Sequence, residues 1–267
     1  MLWDTHIHTW FSGDCDTDPE AMILACKEKG LQGICITDHH DDDYMNNSER
    51  FLLDFDRYMP YIQALSHKYE GTFSICVGVE VGLQPQLREK LKALTKKYPF
   101  DFIVGSSHMV NGIDPFDKSY FYGKTEDEAY EEYFRSIYEN VAALDEFDVY
   151  GHLDFVVRYG PNTNQYYSYQ KYADIIDEGL RVLIQKGKGI EINTSGFKYR
   201  LGHPHPTEDI IRRYRELGGE IITIGSDAHI PDHVAYDFHK VPEILKNAGF
   251  RYYTVFKERR PEFIRLD

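Results

Sequence analysis

A chain of 267 residues with 42% hydrophobic content can bury a sizeable core, and no run approaches the ~20 continuous apolar residues of a membrane span. A net charge of −14 argues against a nucleic-acid partner, because such binders are ordinarily basic; it suits solubility and the neutralising of bound cations. Met1-Leu2-Trp3-Asp4 lacks the basic and apolar regions of a signal peptide, and Cys15, Cys26, Cys35 and Cys76 form no C-x-x-C pair, which predicts reduced thiols and a cytoplasmic location.

Seven apolar, β-rich runs are predicted at residues 2–7, 33–37, 73–79, 101–105, 149–152, 189–193 and 221–225. Most are too rich in Val, Ile and Phe to alternate, as expected of strands buried on both faces. A helix follows the first run, with Asp18 as N-cap, Pro19 at its first position and Gly30 as its stop. Further amphipathic helices are predicted at 48–69, 85–97, 125–145, 168–186, 206–217 and 239–247, and Thr125 with Glu128 offers a capping box. Residues 111–123 read as an aromatic loop able to cover one face. Residues 251–256 predict either an eighth strand or a partner for 263–266.

Strand–helix alternation along the whole length implies a parallel sheet, and seven repeats fit a closed (β/α) barrel better than a doubly wound sheet. No glycine-rich dinucleotide fingerprint follows the first strand; His6 and His8 stand there instead. No linker or repeat interrupts the chain, so residues 1–267 are expected to form one domain.

The chemistry lies at the carboxyl ends of the strands. His6 and His8, two apart on a strand, face the same side and can hold one ion. Asp14 follows in a turn, His39 ends the second strand and Glu80 the third, where a carboxylate can bridge two ions. His108 and His152 end the fourth and fifth, and Asp227 with His229 closes the set at the seventh. The run Asp41-Asp42-Asp43 reads as a solvated loop, and His67, His233 and His239 as structural or surface residues. One tetrahedral site needs four ligands; His6, His8, Asp14, His39, Glu80, His108, His152, Asp227 and His229 suffice for three divalent ions, with Zn, Mn or Fe all compatible. His6, His8, Glu80 and Asp227 would hold the first, Glu80, His108 and His152 the second, and Asp14, His39 and His229 the third. A hydroxide bridging two of them, with Asp227 beside it, suits hydrolysis. Arg158 and Arg200 are expected to bind an anion, most simply a phosphate, and His40 or His205 to contact substrate and protonate the leaving group.

These residues resemble the PHP (polymerase and histidinol phosphatase) superfamily. The likeness rests on D-x-H-x-H at Asp4–His8, T-D-H at Thr37–His39, G-x-E at Gly78–Glu80, S-x-H at Ser106–His108, G-H-x-D at Gly151–Asp154 and S-D-A-H at Ser226–His229. It implies a distorted seven-stranded, TIM-like barrel and a trinuclear metal centre. Gly151–Asp154 with Arg158, Asn193–Gly196 before Arg200, and Ser226–His229 resemble the histidinol-phosphatase branch. That branch implies L-histidinol phosphate as substrate, in histidine biosynthesis. Asp14 departs from the superfamily pattern, where many members carry a third-metal histidine. Rival readings are a superfamily phosphoesterase acting on a nucleotide or another small monoester, an amidohydrolase-type metal hydrolase, and a non-catalytic metal-binding module.

Overall fold

Short apolar strands joined by helices can pair only in parallel, since each crossover returns the chain to the same end of the sheet. The computed structural model describes residues 2–266. In chain order it contains β1 (Trp3–Ile7), α1 (Pro19–Glu28), β2 (Gly33–Ile36), β3 (His39–His40), α2 (Phe55–Tyr69), β4 (Ser74–Gly82), α3 (Arg88–Lys97), β5 (Phe102–Ser106), α4 (Glu126–Ala143), β6 (Val149–Tyr150), α5 (Ala173–Gln185), β7 (Gly189–Asn193), α6 (Ser195–Lys198), α7 (Glu208–Glu216), β8 (Ile222–Gly225), α8 (Val241–Asn247), β9 (Tyr252–Lys257) and β10 (Arg260–Arg265). The strand order is β1-β2-β4-β5-β6-β7-β8, all parallel. The last strand meets the first through the Ile7–Ala228 bridge, where the His8 amide donates to the Ala228 carbonyl at 2.9 Å. The result is the expected seven-stranded barrel, nearly closed, with helices outside. Ile7, Ile34, Val79, Val104, Ile192 and Ile224 are fully buried within it.

Local signals place several ends as expected. The Asp18 carboxylate accepts from the Glu20 and Ala21 amides, and Thr125 and Glu128 form the capping box of α4. Other boundaries differ. Strand two breaks after Ile36 because the Asp38 carboxylate is engaged by the Thr9–Ser12 loop; pairing resumes as His39–His40 along β4. That added partner carries β4 on to Gly82, so Glu80 lies inside a strand and not at its end. The helix expected at 48–69 begins at Phe55, because Ser48 caps only a 3-10 turn and Asp54 supplies the cap, accepting from the Arg57 amide. The helices expected at 85–97, 168–186 and 239–247 each open on a 3-10 turn and become α-helical at Arg88, Ala173 and Val241. The helix expected at 206–217 runs Glu208–Glu216 behind Thr207.

Of the two alternatives for the C-terminal region, the hairpin holds: β9 and β10 pair antiparallel, away from the barrel sheet. Its tip binds the amino ends of the strands. The Arg259 Nε donates to Asp148 at 2.5 Å, and the Glu258 amide donates to Asp101 at 3.0 Å. No helix among the described residues is long and apolar enough to cross a membrane.

Candidate metal centre

Alternation along β1 turns His6 and His8 to the barrel interior, and both are fully buried. Glu80, from the middle of β4, stands between two groups of imidazoles. Its Oε2 lies 3.2 Å from His6 Nε2, 3.5 Å from His8 Nε2 and 3.0 Å from His39 Nδ1. Its Oε1 lies 2.8 Å from His152 Nε2 and 3.3 Å from His108 Nε2, and accepts from the Ser106 hydroxyl at 2.6 Å. Asp227 Oδ1 is 3.4 Å from His8 Nε2, and Asp14 Oδ2 is 3.3 Å from His229 Nε2 and 3.8 Å from His39 Nε2. All nine residues expected as ligands therefore sit in one cluster. In four trios the ligand atoms lie within 4.8 Å of one another: His6–His8–Glu80, Glu80–His108–His152, His8–His39–His229 and His39–Asp41–His108.

Unmet valence tests whether this donor set suits cations. His6 Nε2, His8 Nε2, His39 Nδ1, His229 Nε2 and Glu80 Oε2 are buried without a hydrogen-bond partner. Several such atoms aimed at a common centre are costly unless a cation completes them, so the residues fit divalent metal. Against burial, the neighbouring carboxylates hold His6, His39 and His108 above the usual imidazole range, so a proton and a metal compete for these nitrogens. Burial would raise the Glu80 carboxyl, but His6, His39 and His108 overcome it and hold the group well below the usual range. Burial, with His229 and His39 beside it, pushes His8 well down, toward the neutral imidazole that can bind a metal.

Other ring nitrogens are held from behind. His108 Nδ1 meets Asp41 at 2.7 Å, and His8 Nδ1 meets the Ser12 hydroxyl, which donates to Asp38 at 2.7 Å. Asp41 is buried, so the expectation of a solvated Asp run fails at its first member; the β3 turn folds it under His108. Asp4 and Asp154, from the same motifs, are fully buried and satisfied elsewhere: Asp4 by the amides of Ser226 and Ala235, Asp154 by His205 and the Thr207 amide.

Asp14, His39, His108, His152, Asp227 and His229 of this cluster line a cleft of about 430 Å³. Arg158 lines it, its guanidinium 4.0 Å from the Tyr199 ring centre and 4.7 Å from that of Phe155, with Nε and Nη1 unpaired. Lys198, Asp114, Phe116 and His233 also line it. Asp114 accepts from the Tyr44 hydroxyl at 2.8 Å.

Three expected substrate or proton-donor residues are not on that lining. His40 points to the opposite face of β3 from His39; its Nδ1 accepts from the Leu53 amide at 3.2 Å and its ring packs on Phe55. Arg200 is exposed on the left-handed turn after α6, which presents Lys198 and Tyr199 to the cleft in its place. His205 is buried behind the wall, with Nδ1 2.5 Å from Asp154. Conversely His233, read as a surface residue, reaches the cleft because the 3-10 turn Pro231–His233 folds over the end of β8. Glu191, unremarked in the sequence, is buried mid-β7 with Oε1 2.8 Å from His6 Nδ1; an inward Glu in an otherwise apolar strand was its one signal.

Known proteins agree with this geometry. A family model for the PHP domain matches residues 4–195. The chain is 34% identical over 263 residues to a probable histidinol-phosphatase of Clostridium acetobutylicum, covering 97% of this chain and 98% of that protein. It is 31% identical over 258 residues to the histidinol-phosphatase of Lactococcus lactis, covering 95% and 93% respectively. The crystal structure of the histidinol phosphate phosphatase of Lactococcus lactis, complexed with zinc, L-histidinol and phosphate, matches with a TM-score of 0.91 at 29% identity over 98% of each chain. With its motifs in order, its barrel and its cluster of unpaired imidazoles, this chain belongs to the PHP domain family and to its histidinol-phosphatase branch.

Proposed function

We propose that the chain hydrolyses L-histidinol phosphate to L-histidinol and phosphate, as a single cytoplasmic domain spanning 1–267 that serves histidine biosynthesis. The observation that carries this reading is Glu80, whose two oxygens face two separate imidazole groups beneath a cleft lined by His39, His108, His152 and Arg158, two of whose guanidinium nitrogens are unpaired. The relatives supply the substrate: one is named a probable histidinol-phosphatase, another a histidinol-phosphatase, and a crystal structure is described with L-histidinol and phosphate bound.

Three divalent ions are assigned: His6, His8, Glu80 and Asp227 for the first, Glu80, His108 and His152 for the second, Asp14, His39 and His229 for the third. Zinc is favoured over manganese and iron by the zinc in the Lactococcus enzyme. Bound there, such ions lower the pKa of coordinated water toward ~7 and offset phosphoryl charge. The protein's own groups do the rest. The two free donors of Arg158 bind phosphoryl oxygens, and stacking on Tyr199 and Phe155 fixes the guanidinium plane. Lys198 adds positive charge on the same wall. Burial would raise Asp227, but His8, His6, His229 and Lys198 hold it well below the usual carboxylate range, so it stays ionised and orients the attacking water by accepting its hydrogen bond. The acidic and aromatic side, Asp114 with Tyr44 and Phe116, receives the cationic amine and the ring of a small substrate. His40, His205 and Arg200 are given no contact with substrate.

Metal analysis of protein purified without chelator, followed by phosphate release from a panel of monoesters, tests the reading. The expected result is more than one metal per chain and preference for L-histidinol phosphate over nucleoside monophosphates. Full activity after metal removal, or preference for a nucleotide, overturns it.

A further inference from the structure

Glu191 is a buried carboxylate, 1% exposed, on the strand that contributes no expected metal ligand. Its neighbours make room for it. A Cβ at Gly225 would stand 2.0 Å from Glu191 Oε1 and 2.5 Å from the His6 Cβ, and one at Gly151 would stand 3.6 Å from Oε2. Glycine at 225, at the end of the neighbouring β8, thus leaves a slot that the carboxylate fills.

Two partners of that carboxylate are donors and the third is an imidazole nitrogen. Oε1 faces His6 Nδ1 at 2.8 Å. Oε2 accepts from the backbone amide of His152 at 3.0 Å and from Asn193 Nδ2 at 3.0 Å. Asn193 cannot be reversed without loss, because its Oδ1 already accepts from the Ser195 amide at 3.0 Å. An ionised carboxylate only accepts, so the proton of His6 belongs on Nδ1 and the lone pair on Nε2. Nε2 is the unpaired atom, 3.2 Å from Glu80. The same carboxylate holds the amide of His152, a residue with positive φ whose ring meets the other oxygen of Glu80.

We propose that Glu191 is the positioning residue of the metal centre: it sets the tautomer of His6 and the backbone of His152, and so couples the ions on either side of Glu80. This rests on the metal-centre reading above. Glutamine has the same shape but one acceptor oxygen. Serving the His152 amide and Asn193 with that oxygen turns the NH2 toward His6 Nδ1. His6 must then accept there and carry its proton on Nε2, which removes the lone pair the metal needs.

The test is zinc affinity by competition with a chelator, for the parent and Glu191→Gln, with circular dichroism to establish folding. The variant should fold and bind zinc about 10–100-fold more weakly, the usual effect of losing an outer carboxylate partner. Equal affinity in parent and variant overturns the proposal while leaving the metal centre standing; a parent that binds no zinc overturns both. A second measurement needs no variant. Nitrogen-15 imidazole spectra of the zinc-loaded parent should show His6 protonated at Nδ1 with no proton on Nε2, and a proton on Nε2 overturns the proposal even if Glu191→Gln does not fold.

Discussion

The two ends of the barrel carry buried carboxylates in similar surroundings and use them oppositely. At the amino end, the buried Asp148 accepts from the Ile103 amide at 2.8 Å and from Arg259 at 2.5 Å, and the half-buried Asp101 accepts from the amides of Val77 at 2.8 Å and Glu258 at 3.0 Å. Those bonds lash the β9–β10 hairpin to β5 and β6. At the carboxyl end, Glu80 keeps one oxygen without a hydrogen-bond partner, ringed by imidazole nitrogens equally unpaired. Burial does not distinguish the ends; leftover valence does. A satisfied carboxylate stabilises the fold, whereas a set of unsatisfied donors aimed at one point needs a ligand.

The sharpest way to break this contrast is Glu80→Gln. Losing the shared carboxylate should lower kcat/KM by about 10²–10³-fold, the scale of removing a group that stabilises transition-state charge, and should empty neighbouring metal positions together. Wild-type turnover with full metal content would mean that the unpaired oxygen has no function.

Asp148→Ala makes the reciprocal change. It strands the Ile103 amide and frees the hairpin tip, at an expected cost of about 1–3 kcal/mol in stability by denaturant titration, with kcat unchanged in the folded fraction. Its acid–base sign is also fixed. Burial, opposed by Arg259, raises Asp148 above its ordinary 3.8, so the folded chain holds this proton more tightly than the unfolded chain. The contribution of that group is full below about pH 4 and is lost as pH rises through the raised value. Parent stability relative to Asp148→Asn should therefore fall from pH 4 toward neutrality; a rise would show that Arg259 outweighs burial.

Within the carboxyl end, Arg158→Lys and Arg200→Lys sharpen the comparison further. Lysine cannot copy the guanidinium fork, so Arg158→Lys should lower kcat/KM about tenfold, with metal content unchanged and weaker inhibition by inorganic phosphate. Arg200, exposed beyond the cleft, should give a change under about twofold when made lysine, as for surface substitutions generally. Equal losses from both would place Arg200 against substrate.

Much of this was legible because it is local. The spacing of His6 and His8 aims both inward on any strand, and ligands placed after successive parallel strands must converge at one end of a barrel. The gathering of the nine residues from His6 to His229 in one cluster was readable largely in that way, as were the caps at Asp18 and Thr125. Choices between adjacent residues were less legible. His39 or His40, and Lys198 or Arg200, turn on a one-residue phase that reverses a side chain, and strand pairing and the α6 turn set that phase.

By itself, then, the amino-acid sequence determined the order of strands and helices, the family motifs and the residue types able to bind metal, since each depends on a short stretch of chain. Tertiary structure alone decided which buried carboxylates were left with open valence. Glu191 and His6 are 185 residues apart, as Asp148 and Arg259 are 111 apart, and only closing the barrel and folding back the hairpin bring each pair together. A carboxylate's role depends on how many donors the finished fold supplies, and those donors come from distant strands.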